Sequence, residues 1–435
     1  MPASVSACVE MDTDRSKDGG AQAGERTASP EAAVVPRIPY GTDLPGSSVV
    51  VDFARDASGF ALLAECGKTR CRQRVAVLDK GADAWRLGRS PLADVTVEHG
   101  ITATLRVLGP GRALVTEGVW PAPDRTWFTS DGGRHWRRGS ARPSGTTLVL
   151  PEGVTLFEDC TRTDQEGNNC EHARILTALP TTGEFRSLAT QPPLQPPVIP
   201  AGRTKDLVFA SGRDPRSGRV ALAVSEDGGL SWRLSRPTGI GESVWALRVT
   251  GTGKVLYAAE PGQLSDEDNV KNGLLALHRS TDGGRTWERV WEHRKSVEPR
   301  SLLGTPVAAV DGSLTIYSED GIWRSTDGGR SFRRLPNSGG MSGWVTTTAL
   351  GYLWGDSFGA GSWAISTDGI HWTKFQLGNR TSAGSETGTV TAARFPVPTA
   401  SNRSDRFSFG QAAAQAAWCS ARWATPSPVI SNPMT

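Results

Sequence analysis

One eight-residue pattern occurs five times in this chain: Ser or Thr, an Asp two positions on, a Gly two further, and an aromatic three beyond. It reads Thr129-Ser-Asp131-Gly-Gly133-Arg-His-Trp136, Ser225-Glu-Asp227-Gly-Gly229-Leu-Ser-Trp232, Ser280-Thr-Asp282-Gly-Gly284-Arg-Thr-Trp287 and Ser325-Thr-Asp327-Gly-Gly329-Arg-Ser-Phe332. A copy one residue shorter is Ser366-Thr-Asp368-Gly-Ile-His-Trp372. An Asp in such a stretch accepts hydrogen bonds from backbone N–H groups one and two residues on, and the glycines supply the positive φ of a tight turn. Apolar runs precede the pattern (Val220-Ala-Leu-Ala-Val, Leu274-Leu-Ala-Leu) and a β-compatible stretch follows it (Trp287-Glu-Arg-Val-Trp). Each copy therefore joins two antiparallel strands, with its aromatic packed under the hairpin. On this reading Asp131, Asp227, Asp282, Asp327 and Asp368 organise turns.

The pattern resembles the Asp-box, or BNR, repeat of β-propellers, a group that includes sialidase-like proteins and photosystem II assembly factors. Consecutive box aspartates are 96, 55, 45 and 41 residues apart, so the first gap spans two blades of ~40–50 residues. Thr181-Thr-Gly183-Glu-Phe185 supplies a worn turn inside that gap, and Leu78-Asp79-Lys-Gly81 with Trp85 supplies another before the first box. Seven turns, each with two further apolar runs in its interval, predict an all-β fold: a single seven-bladed propeller of four-stranded blades. The 50 Gly and 28 Pro among 435 residues fit frequent turns. The domain reading is a disordered tether over 1–46, the propeller over 47–378, and a low-complexity tail over 379–435.

Cys66 and Cys71 flank Gly-Lys-Thr-Arg, and Cys160 and Cys170 flank a polar loop, each pair between two apolar runs. Two hairpin disulfides are expected, with an oxidising location. Val5-Ser6-Ala7-Cys8 resembles a bacterial lipobox, which implies lipidation of Cys8, membrane anchoring through that lipid, and a signal peptide that starts upstream of Met1. A net charge of +3 does not argue for nucleic acid. No phosphate loop, Gly-x-Ser-x-Gly or His-Glu-x-x-His occurs, so no cofactor and no metal site are read; the Asp266-Glu-Asp268-Asn turn lacks the later ligands of a calcium loop.

Turns of a meander alternate between faces, so if the boxes join strands three and four, the loops between strands two and three share the opposite face. Those are the long loops, and long loops on a rigid scaffold carry binding. They offer Trp120, Asp124, Arg125, Arg213, Asp214, Arg216, Asp266, Asp268 and Asp356 as ligand-face candidates. Pro36-Arg37-Ile38-Pro39 resembles the sialidase Arg-Ile-Pro motif, which implies a carboxylate-gripping arginine and a Tyr–Glu nucleophile pair. The inner strand, however, begins ten residues too late at Val49, and Tyr40, Tyr257, Tyr317 and Tyr352 lack the family's context. The reading is a monomeric extracytoplasmic module that binds protein or polysaccharide without catalysis; the competing class is a sialidase-like or other glycoside hydrolase.

Overall fold

The computed structural model of the chain describes residues 36–378, apart from 99, 119–124, 152–154, 164–169, 265–269, 271, 295–297, 337–342 and 357–360. Seven sheets follow one another along the chain as the blades of a propeller. Blade 1 comprises Ser47–Phe53, Gly59–Cys66, Arg70–Leu78 and Arg86–Gly88, with the short Val95–Thr96 added to its third strand; blade 2 comprises Thr104–Gly109, Arg112–Glu117, Arg125–Thr129 and Arg137–Gly139. Blades 4 to 7 repeat the four-strand meander, from Gln195–Arg203 through Thr373–Gln376. The innermost strands of blades 1 and 2, 3 and 4, 4 and 5, and 5 and 6 touch one another and so line the centre.

Blade 3 departs from the expected meander. Only Leu156–Thr163, Cys170–Ala178 and Phe185–Leu188 run as antiparallel neighbours, and the outer place is taken by Thr146–Thr147, paired in parallel with Phe185–Leu188. Pro143 and Pro151 bracket that two-residue strand and have no N–H to give an inner ladder.

The core is divided accordingly. Each hydrophobic cluster of the described residues bridges two adjacent blades: Phe60, Val75, Leu105 and Val115 join blades 1 and 2, whereas Phe209, Leu222, Leu247 and Leu256 join blades 4 and 5. A ring built this way needs no single centre, and its size is not limited by one core. The ring closes where the segment entering blade 1 meets blade 7. Gly41 N donates to Gln376 O (2.8 Å), Gly378 N donates to Gly41 O (2.9 Å), and Trp363 Nε1 donates to Ser48 Oγ (2.7 Å). Residues 36–46 therefore belong to the propeller, not to the tether that the sequence reading placed there. Ile38 and Leu44 are buried, which removes apolar surface that a tether would leave in water.

The box turns show why the pattern has its spacing. In the third copy, Ser280 Oγ donates to Asp282 Oδ1 (2.8 Å) and accepts from Gly284 N (2.8 Å), while Asp282 Oδ1 accepts from Arg285 N (2.9 Å) and Thr286 N (3.0 Å). The acceptor thus reaches N–H groups three and four residues on, not one and two. The cause is the glycine pair, at φ of 72° and 78°, which turns the chain back over the carboxylate. The closing aromatics lie against the glycines of their own turns, Trp287 at Gly284 and Trp136 at Gly133, and also reach the preceding blade. Trp136 Nε1 reaches Arg89 O (2.6 Å) of blade 1, and Trp287 Nε1 reaches Ser235 Oγ (2.8 Å) of blade 4. Radiating sheets diverge toward the outside, and a large ring fills that widening gap.

Successive box turns are stitched together around one rim. Arg86 Nη2 donates to Gly132 O (2.8 Å), Arg137 Nη2 to Thr182 O (2.6 Å), Leu150 N to Gly228 O (2.7 Å) and Arg233 Nη1 to Gly284 O (3.0 Å). Arg330 pairs with Glu288 (2.9 Å), and Val310 N donates to Asp368 O (3.0 Å). Replacing Asp282 by Ala strips an acceptor from two N–H groups and two hydroxyls. We expect a loss of about 1–3 kcal/mol in urea unfolding, with ligand affinity unchanged. Lost affinity at unchanged stability would contradict a structural role.

Candidate ligand cleft between blades 3 and 4

The face opposite the boxes carries both disulfides. Cys66 and Cys71 are direct cross-strand partners with Cα atoms 3.9 Å apart, closer than the range of roughly 4.4–6.8 Å expected of such bonds. Cys160 and Cys170 are bonded with Cα atoms 5.7 Å apart and tie Leu156–Thr163 to Cys170–Ala178 at the end away from the Gly183 turn.

Beside the second disulfide lies an open cleft of about 740 Å³, lined by Thr161, Cys170, Glu171, His172, Ala173, Gln195 and Pro196. One wall is the end of the blade 3 hairpin and the other is the start of the first strand of blade 4. The hairpin wall is held by more than the disulfide: Thr161 Oγ1 donates to His172 O (3.1 Å), Arg162 Nε pairs with Glu171 (2.7 Å), and Arg174 Nε pairs with Asp159 (2.7 Å). On the other wall, Gln195 is the register partner of Arg213.

That pairing sets Arg213 next to Gln195, outside the residues that line the cleft. Arg213 donates to Gly218 O (3.0 Å), and Arg216 is exposed on the same turn. Asp214 is spent on the turn itself. Its carboxylate takes Arg236 Nε (2.7 Å), Arg216 N (3.0 Å) and Ser217 Oγ (3.1 Å), and the Arg236 bond leads in holding it down at about 2. Arg125 is half exposed near Glu117 (3.8 Å) on blade 2, and Asp356 is half-buried on blade 7, so neither joins the cleft. Trp120, Asp124, Asp266 and Asp268 lie outside the described residues, as does Cys8.

The sialidase elements are not assembled. Arg37 is exposed on the closing segment, where Pro39 O accepts from Trp85 Nε1 (3.0 Å) on the outer part of blade 1. Tyr257 and Tyr317 are buried in blade cores, and Tyr352 Oη bonds Thr250 Oγ1 (2.8 Å) and the backbone of Ala308. Tyr40 is exposed.

Sequence reasoning missed three carboxyls with raised pKa values and one buried Glu–His pair. Burial lifts Asp52 to about 6 despite Arg106 and the N–H groups of Val107 (2.8 Å) and Phe53 (2.9 Å). Burial, helped by Asp159, lifts Glu158 to about 7; both of its oxygens are shut from solvent without a hydrogen bond. Burial and then Asp320 lift Glu298 to about 7, against Arg300. Glu260 and His278 form a fully buried pair in blade 5. The legible signal was a charged residue inside an apolar run, as in Leu256-Tyr-Ala-Ala-Glu260.

No protein-family model and no curated relative matches the chain. Among solved structures, the α-L-arabinofuranosidase Arb93A from Fusarium graminearum is similar at 9% identity, covering 78% of this chain and 96% of that one, with a TM-score of 0.35. An α-L-arabinanase of Penicillium chrysogenum is similar at 11% identity, over 74% of this chain and 93% of its own, TM-score 0.35. A polysaccharide lyase, the PL25 ulvan lyase, is similar at 10% identity, over 79% and 96%, TM-score 0.39. Likeness at this level assigns no activity.

Proposed function

We propose that the propeller is a non-catalytic binding module that holds a protein or glycan segment in the cleft between blades 3 and 4. The observation that carries this reading is the cleft itself: an open depression with one disulfide-stapled wall, edged by the polar side chains of Thr161, Glu171, His172 and Gln195. The disulfides fit an oxidising, extracytoplasmic site of action. A lipid on Cys8 would tether a single propeller to the membrane surface.

A glycoside hydrolase needs two carboxyl groups flanking one bond, roughly 5–9.5 Å apart. The acids with raised pKa belong to separate blades or linkers, and the carboxylate in the cleft, Glu171, is paired with Arg162. This favours binding over turnover.

The test is a titration of the purified protein against sialosides, arabinans, other plant and bacterial polysaccharides and a peptide array, with product analysis alongside. Saturable binding without product is expected, weakened about tenfold or more by His172→Ala with Gln195→Ala, as for buried polar contacts. Cleavage of any glycan that disappears on changing a single carboxylate would overturn the reading.

A further inference from the structure

The box turn of blade 2 and its outer strand run Asp131-Gly-Gly-Arg134-His135-Trp136-Arg137-Arg138-Gly-Ser-Ala-Arg142-Pro143. Four arginines less one aspartate give this stretch +3, as much as the formal charge of the whole chain. All four arginines are exposed, and His135 has 80% of its side chain in solvent.

Exposed charge on an outer strand has an ordinary purpose, because it keeps a sheet edge from pairing with another chain. Blade 2 goes further than its counterparts. In blades 5 and 6 the box arginines Arg285 and Arg330 reach back to Glu226 (2.9 Å) and Glu288 (2.9 Å) of the preceding blade. Glu288 directly follows the aromatic of its box. At that position blade 1 carries Arg86, which follows Trp85 and donates to Asp79 (2.7 Å) and to Gly132 O.

Arg134 and Arg137 are oriented by carbonyls, and Arg134 also feels the Asp79 carboxylate of blade 1, whose pKa it helps to lower. Arg134 Nη1 donates to Asp131 O (2.8 Å); Arg137 Nη2 donates to Thr182 O (2.6 Å), with its guanidinium 5.9 Å over the Phe128 ring. Among the described residues, the side chains of Arg138 and Arg142 take no partner. On the Arg137 face of the strand is an open concavity of about 360 Å³, lined by Phe128, Ser130, Asp131, His135, Trp136, Arg137 and Thr181. The Asp131 carboxylate is taken up by Arg134 N, His135 N and His135 Nδ1, and Arg138 and Arg142 lie outside the lining. That size lies within the range of ligand pockets, about 300–1,000 Å³.

We infer that this rim of blade 2 is a second binding site, distinct from the cleft on the opposite face, for an acidic polysaccharide. The arginines meet sulfate or carboxylate groups, a pairing for which the guanidinium fork is suited. The indole and imidazole edges in the concavity meet the sugar ring. An aromatic platform beside fixed cations would also suit nucleic acid, but the disulfides place the protein in a compartment where surface glycans are the polyanions at hand.

The probes are heparin, polygalacturonate, neutral dextran and duplex DNA, titrated onto the whole protein across a range of salt. Binding of at least one acidic glycan but not dextran is expected. Arg138→Glu with Arg142→Glu should weaken it about tenfold or more at low salt and flatten the log–log salt slope by about two, the usual scale for two lost ionic contacts. Arg333→Glu with Arg334→Glu, an equally exposed pair on the outer strand of blade 6, should change affinity less than about twofold. Both pairs are on the surface, and matched urea midpoints would show that folding is intact. Equal losses from the two double variants would mean diffuse charge and no site. Failure of both acidic glycans to bind, or tighter binding of DNA through the same arginines, would equally overturn the inference.

Discussion

Replacing His278 by Leu is expected to cost about 3–5 kcal/mol of stability, the largest single effect in the molecule. His278 Nε2 and Glu260 Oε1 bond in the heart of blade 5, and neither side chain has any surface in solvent. The pair sits diagonally across two strands, since Ala258 is the partner of His278 and Ala276 the partner of Glu260. Beyond His278, Glu260 takes only a long bond from Gly241 N (3.4 Å) among the described residues. Removing the imidazole leaves a buried carboxyl with almost nothing to satisfy it, and that desolvation dominates over the gain of an apolar side chain. Changing both residues to Leu should recover much of the loss, because the orphaned group is then gone. A single variant within about 1 kcal/mol of the parent in urea unfolding would show that the pair is not what orders this blade.

Glu158→Gln should act in the opposite direction, and only above acid pH. The carboxyl of Glu158 is lifted by burial from 4.5 to about 7. The folded state therefore keeps a proton that the unfolded chain gives up. Below about pH 4.5 both states are protonated and the group costs nothing; between 4.5 and 7 the folded protein progressively loses stability, and above 7 the loss is complete. A shift of this size corresponds to about 3 kcal/mol at 1.36 kcal/mol per unit. Gln mimics the protonated form, so the variant should match the parent at pH 4.5 and exceed it by about 2–3 kcal/mol at pH 8. The box aspartates set the acid limb. Hydrogen bonds from the turns hold Asp131 and Asp368 near 2, so their contribution is present above the unfolded value of 3.8 and is lost as pH falls toward 2. Equal stability of Glu158→Gln and the parent at both pH values would mean that water reaches the carboxylate.

Much of this architecture was legible because its determinants are local. A Ser, an Asp and two glycines within five residues close their own turn without help from the rest of the chain, so Ser280 through Gly284 announced a hairpin from sequence alone. Even the worn turns kept their positive-φ glycines, Gly81 at 70° and Gly183 at 67°, and these completed the count of seven. The cysteine pairs were legible for the same reason. What was not legible depended on contacts between blades. The direction of Trp136 toward Arg89 O follows from the angle between sheets. The parallel placement of Thr146–Thr147 follows from a linker choosing the outer edge over the inner one. The ligand cleft is another such case, since Gln195 and His172 face one space only because blades 3 and 4 are neighbours. Asp214 shows the converse: an acid on a long loop, read as a ligand candidate, also holds the loop's own shape, which the sequence did not reveal.

The binding reading stands or falls on where a ligand sits. Hydrogen exchange of the whole protein, with and without the tightest ligand from the glycan and peptide titrations, locates it directly. Protection should concentrate in 160–163, 170–173 and the start of the strand at 195, the two walls of the cleft, with the box turns at Asp227, Asp282 and Asp327 unchanged. Protection centred on the box rim of those blades, or accumulation of a cleaved product during the incubation, would contradict a binding cleft between blades 3 and 4.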